Sequence, residues 1–218
     1  MMNEGRIPAG RATLDGNLSI PENATALVLF VHGSGSSRHS PRNQFVARTL
    51  NNAGLGTLLF DLLTPEEEAI DARTAELRFN IKLLAERLVH ATNWAKQQQE
   101  TRSLRIGYFG SSTGGGAALV AAAEGSQDVG AVVSRGGRPD LAGEALPKVQ
   151  VPTLLIVGGD DDIVIELNEQ ARDRMHCEVK LEIVPGATHL FEEPGALERV
   201  AHLASNWFVD HIGAKSEL

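Results

Sequence analysis

Ser112 lies within Gly110-Ser111-Ser112-Thr113-Gly114, between an apolar run at 104–109 and a small-residue run at 115–123. That context predicts strand, sharp turn and helix, with the turn lifting the Ser112 hydroxyl clear of the sheet edge. The glycines remove the Cβ atoms that would block so tight a bend. A serine hydroxyl is a poor nucleophile near neutral pH and needs a base, for which histidine titrates in the right range. Of the seven histidines, His189 alone follows the last predicted strand, in a loop with Gly186 ahead of a helix opening at Pro194. It is the predicted base.

The base in turn needs a carboxylate to hold its tautomer and stabilise the imidazolium. Three aspartates compete at the end of the strand predicted over 154–157. The spacing Gly158-x-x-Asp161-x-x-Val164 selects Asp161, with Asp160 and Asp162 as the competing acids and helix capping as their alternative role. The chain order Ser112, Asp161, His189 matches one of the known serine triads and not the others. An oxyanion formed at this serine needs backbone N–H donors. Thr113, just after the nucleophile, and Ser34, in the glycine-flanked loop His32-Gly33-Ser34-Gly35, are the predicted pair.

Four arginines fall near the same rim. Arg135 is a candidate substrate contact, because a guanidinium matches a carboxylate or phosphate by forked hydrogen bonding. Arg38, Arg42 and Arg138 read instead as solvated or as neutralising the acidic rim. His32 is a second candidate contact, read chiefly as part of the loop that shapes the oxyanion site. No His/Cys cluster suggests a metal: the single cysteine, Cys177, leaves no thiol pair for zinc and no internal disulfide. No cofactor is expected.

The elements that must position these groups alternate along the chain. Short apolar strands are predicted over 26–31, 57–60, 104–109, 131–134, 154–157 and 181–184. Helices are predicted over 41–53, 165–175 and 194–211. One long helix is predicted from about 71 to 99, on the stripe Leu77, Ile81, Leu84, Leu88, Ala91 and Ala95. Strands apolar on both faces belong in a parallel sheet covered by helices. Residues 13–20 alternate differently and read as an antiparallel edge strand or hairpin. The expected fold class is therefore α/β: a mostly parallel twisted sheet with helices on both faces and an antiparallel N-terminal edge strand. In such sheets the chemistry gathers outside the carboxyl ends of the strands, where every one of these polar groups falls. No linker divides residues 1–218, which read as one domain. There is no room for a large cap; only 62–73 could form a small lid.

Composition agrees with an enzyme of this kind. Hydrophobic content of 42% and charged content of 22% are ordinary for a globular chain. A formal net charge of −8 with no densely basic stretch argues against nucleic acid and anionic membranes as partners. The apolar runs are far too short to span a bilayer, and the first ten residues lack a signal-peptide core. A cytoplasmic protein acting on a small ester-like molecule is expected; oligomeric state is not legible.

Taken together, His32-Gly33-Ser34-Gly35, the Ser112 pentapeptide, Gly158-Gly159-Asp160-Asp161 and Ala187-Thr188-His189-Leu190-Phe191 resemble the α/β-hydrolase superfamily. The resemblance covers about residues 26–208 and is closest to small, capless dienelactone-hydrolase-like members. It implies an ester- or lactone-hydrolysing enzyme that works through an acyl-enzyme, without metal or organic cofactor. Dienelactone hydrolases carry cysteine where this chain has Ser112, so a generic carboxylesterase-like activity is expected. Transfer of the acyl group to an alcohol, an amine or hydrogen peroxide would use the same triad. A non-catalytic binding scaffold is the remaining alternative, though such proteins usually lose a triad member and this chain keeps all three.

Overall fold

The computed structural model describes residues 2–125 and 127–213. Among these residues eight strands form one sheet: β1 (Met2–Ala9), β2 (Ala12–Ser19), β3 (Ala26–Val31), β4 (Gly56–Phe60), β5 (Arg105–Ser111), β6 (Val129–Arg135), β7 (Thr153–Gly158) and β8 (Val179–Val184). Their spatial order is β1-β2-β4-β3-β5-β6-β7-β8. From β4 to β8 every pairing is parallel, whereas β1 and β2 run antiparallel to each other and β2 runs antiparallel to β4. The predicted N-terminal antiparallel element is thus present, in its hairpin form at the edge of the sheet: residues 13–20 fall in the inner arm β2, the turn uses Gly10 at φ 65°, and β1 adds the outermost strand.

Period-two burial sorts each inner strand between two cores. In β3, Leu27, Leu29 and Val31 join one core, while Ala26, Val28 and Phe30 join the other. The first core is closed by α3 (Ile81–Gln97) and α4 (Thr113–Ala123), through residues such as Leu84, Leu88, Ala118 and Leu119. The second is closed by α1 (Pro41–Asn52) and α6 (Ala196–Ile212), through Val46, Leu50, Val200, Ala204 and Phe208. Each fully buried Leu or Phe contributes about 1.5–3 kcal/mol of transfer free energy. α5 (Asp162–Arg174) lies between β7 and β8 in sequence. It packs on the segment Pro139–Lys148, a 3-10 helical stretch kinked at Gly143, which links β6 to β7.

The single helix expected from 71 to 99 is two. α2 (Pro65–Thr74) opens on a capping box, Thr64 with Glu67, and ends where Ala75 adopts φ 54°. The carboxylate of Asp71 then accepts from the backbone N–H groups of Leu77 and Arg78, and from Arg78 Nε at 2.6 Å. A fresh cap, Asn80 accepting from Leu83 N–H, starts α3. The break places Leu77 in the connection while Leu84, Leu88, Ala91 and Ala95 keep the predicted stripe. α2 is the helix formed in the stretch foreseen as a small lid, and among the described residues no cap covers the sheet.

Candidate active site

Ser112 sits between β5 and α4 with φ 51° and ψ −121°, a left-handed conformation unusual for a side-chain-bearing residue. The neighbouring backbone enforces it. Ser112 N–H donates to the Arg135 carbonyl, and its own carbonyl accepts from Gly115 and Arg138 N–H. A Cβ on Gly110 would stand 2.5 Å from the Gly114 carbonyl oxygen, and one on Gly114 would collide with the Val31 carbonyl. Both glycines are therefore required by close approach. This is the strand–turn–helix elbow that the pentapeptide predicts.

Asp161 follows β7 and occupies the N-cap position of α5, but its side chain makes no cap bond. It instead accepts from His189 Nδ1–H at 2.7 Å. In the neutral ring such a bond puts the single proton on Nδ1 and makes Nε2 the acceptor. The two loops are tied together by backbone bonds, Gly159 N–H to the Val184 carbonyl and Asp160 N–H to the Ala187 carbonyl. Asp160 and Asp162 are exposed, and among the described residues neither makes a hydrogen bond or ion pair to His189. Among the described residues no hydrogen bond joins Ser112 to His189, yet both line one cavity of about 250 Å³. Catalytic hydrogen bonds are often long before substrate arrives.

The loop after β3 brings Ser34 to the same cavity. Its N–H donates to Thr113 Oγ1 at 3.0 Å, so the two residues predicted to face the oxyanion stand side by side. Arg38 anchors this loop, its backbone N–H and guanidinium both bonded to the Asp61 carboxylate at the end of β4. His32 is not brought into the cavity. Its ring is buried, Nδ1–H donating to the Gly33 carbonyl and Nε2 accepting from Leu62 N–H at 3.1 Å. Burial holds its pKa below the usual histidine value. It braces the loop and has no ring nitrogen free for a substrate.

Arg135, the last residue of β6, does line the cavity. Arg38, Arg42 and Arg138 pair with Asp61, Glu192 and Asp140 respectively. Arg135 pairs with none: it is 8% exposed, and its Nε and Nη1 have no hydrogen-bond partner among the described residues. Its guanidinium carbon stands 6.0 Å from the centre of the Phe191 ring. Burial, with the like charge of Arg42, lowers its pKa to about 10, which leaves it charged near neutrality.

Asn43 and Ser111 complete the wall, the Ser111 hydroxyl donating to Asn43 Oδ1 at 3.1 Å. Asn43 escapes a reading by motif, but a signal was available. It shares the buried face of α1 with Val46, Ala47 and Leu50, where a polar residue needs a reason. A larger cavity, about 500 Å³, lies elsewhere, against Arg6, Arg11, Asp15, Glu66 and Arg87. It holds none of the nucleophile, base or acid candidates. No group of three or more His, Cys, Asp or Glu is placed to hold a metal ion among the described residues. No described helix is long and apolar enough to cross a membrane.

A mostly parallel sheet with a serine elbow at the carboxyl end of a central strand defines an α/β hydrolase. The chain belongs to the dienelactone hydrolase family, whose model matches residues 14–209. It is similar to the crystal structure of a dienelactone hydrolase from Anabaena variabilis, at 59% identity and a TM-score of 0.96, covering 97% of this chain and 98% of that one. The fold also matches Est1E from Butyrivibrio proteoclasticus, solved with ferulic acid bound, with a TM-score of 0.81 at 18% identity over 95% of this chain and 99% of that one. Two proteins from strains of Mycobacterium tuberculosis, carrying the provisional name phosphoribosyl transferase, are 57% identical over 209 residues. Those residues are 96% of this chain but 46% of the relatives, so the chain spans about half their length.

Proposed function

We propose that this member of the dienelactone hydrolase family is a serine hydrolase cleaving small ester, lactone or thioester bonds through an acyl-enzyme on Ser112. Ser112 Oγ attacks the carbonyl carbon while His189 Nε2 takes its proton. Asp161 holds the imidazole and stabilises the charge it gains. Backbone N–H groups of Thr113 and Ser34 hold the oxyanion, the Ser34 donor leaving Thr113 Oγ1 for the substrate oxygen. His189 returns the proton to the leaving group, and water then repeats the sequence to free the acid and regenerate the serine.

The observation that carries this reading is the 2.7 Å bond to Asp161 from Nδ1 of His189, a histidine that lines one cavity with a serine held at φ 51°. The phosphoribosyl transferase name belongs to chains of which this one matches under half, and it supplies no reaction here. The test is labelling with a fluorophosphonate together with hydrolysis of p-nitrophenyl acetate. Wild type is expected to label and turn over, and Ser112→Ala to do neither. An intact wild-type protein whose Ser112 stays unlabelled would refute the proposal.

A further inference from the structure

The cavity that holds Ser112 and His189 carries an unbalanced charge. Its wall includes two guanidiniums, Arg42 and Arg135, and no carboxylate. Arg42 has an exposed partner in Glu192, at 3.0 Å, but its Nε is enclosed without an acceptor. Arg135 has no acceptor at all among the described residues, although it is buried. A cation taken out of water without a counter-ion is strongly disfavoured, and a folded chain seldom leaves one unmatched unless something outside the chain completes it. The aromatic face of Phe191 at 6.0 Å offsets only part of that penalty.

Neutral hydrogen-bonding groups surround the two cations. Ser36, Ser40, Asn43 and Ser111 line the same wall. A carboxylate has two oxygens and a single charge. Two guanidiniums, one of them shared with Glu192, beside the Ser36 and Ser40 hydroxyls and the Asn43 amide NH2 offer more donors than its two oxygens can use. A phosphate monoester, with three terminal oxygens, matches that donor number, and its charge of about −1.5 to −2 near neutrality suits Arg135 together with an Arg42 whose partner Glu192 is exposed. We propose that this wall is a phosphate subsite, so that the substrate is a small ester, lactone or thioester carrying a phosphate close to the scissile carbonyl. The clause about the scissile bond rests on the role proposed for Ser112; the phosphate subsite itself does not.

Arg135 is well placed to couple the two. It ends β6 beside the elbow, with its carbonyl accepting from Ser112 N–H. The next residue, Gly136, packs its Cα side against the His189 backbone and ring. A phosphate held by the guanidinium would therefore fix the rest of a small substrate relative to the nucleophile and the base, which is the positioning that speeds acyl transfer.

The test is binding of inorganic phosphate, and separately of acetate and glutarate, to the wild-type protein by calorimetry, followed by the same titrations on Arg135→Met and Arg42→Gln. Phosphate is expected to bind at least about tenfold more tightly than either carboxylate, and to weaken by about tenfold or more in Arg135→Met. If Arg135→Met does not fold by circular dichroism, Arg42→Gln decides, with a weakening of about threefold or more expected. Phosphate binding no tighter than acetate, or binding unchanged in the folded variants, would overturn the proposal. The outcome is independent of esterase activity: a protein that binds phosphate through Arg135 but never labels at Ser112 keeps the subsite and loses the hydrolase reading.

Discussion

Asp161 occupies a helix N-cap, where an aspartate would ordinarily bond the first-turn amides, yet its carboxylate serves His189. Three adjacent aspartates of the same chemical type are thereby separated by direction alone. Asp160 and Asp162 stay in solvent, and only Asp161, with a side chain 17% exposed, meets the imidazole. Asp161→Asn keeps the shape but presents an amide that can stabilise the wrong tautomer and cannot balance an imidazolium. Turnover is expected to fall by about a thousandfold or more. Asp160→Asn and Asp162→Asn should stay within about threefold of wild type, since exposed charges this close still shift rates slightly. Steady-state kinetics on one ester for all three variants checks the order, and a larger loss at 160 or 162 would reassign the acid.

At the scale of elements, the elbow is where β5 and α4 are fused too tightly for ordinary backbone. Ser112 carries the strain, and strain of this kind amounts to about 1–3 kcal/mol. Ser112→Ala removes the nucleophile but keeps a Cβ at φ 51°. Ser112→Gly removes both, at a loss of about 0.5–1 kcal/mol in chain entropy. The glycine variant should therefore be more stable than the alanine variant by about 1 kcal/mol, with both inactive. Urea unfolding midpoints decide it; an alanine variant of equal or greater stability would mean the turn is unstrained. This junction was legible in the sequence because its constraints are local: glycines, a serine and flanking runs of opposite periodicity.

The doubly apolar strands were legible for the same reason, and so were the helices that carry a single stripe. β1 was not. Met2–Ala9 is an edge strand containing Gly5 and Pro8, so only Ile7 and Ala9 among its described side chains are buried and no alternation stands out. The break before α3 was hidden because Leu77 stays in phase with the stripe while the backbone leaves the helix. Its cause, Asp71 reaching forward to the amides of 77 and 78, is a side-chain contact that periodicity does not record. Of the candidate site, the three predicted triad residues could be selected by local pattern. The isolation of Arg135 and the meeting of Asn43 with Ser111 could not, since they join the ends of β5 and β6 to α1 across the sheet.

For the whole molecule, one buried side chain ties the rim of the candidate site to the rest of the fold. His32 receives the Leu62 N–H from the loop just past the end of β4 and gives its own N–H to the Gly33 carbonyl, so the neutral ring holds two loops together. Its pKa is lowered by burial, which outweighs the opposing effects of the Gly33 carbonyl and of Asp61. Linkage then sets the sign. The unfolded chain takes up a proton at His32 near the ordinary histidine value of about 6.5, while the folded chain resists it to lower pH. The stability associated with the neutral ring is full above that unfolded value and is lost as pH falls through the folded one. His32→Gln retains an acceptor for Leu62 N–H but cannot titrate. Its melting temperature should be below wild type at pH 7.5, because the ring packing is lost. Between pH 7.5 and pH 5, however, it should fall by less than the wild type does. The carboxylates that also titrate in acid are common to both proteins, so the difference between the two falls isolates position 32. Parallel curves would show that the protonated imidazole is accommodated in the folded state and that the rim does not depend on its neutrality.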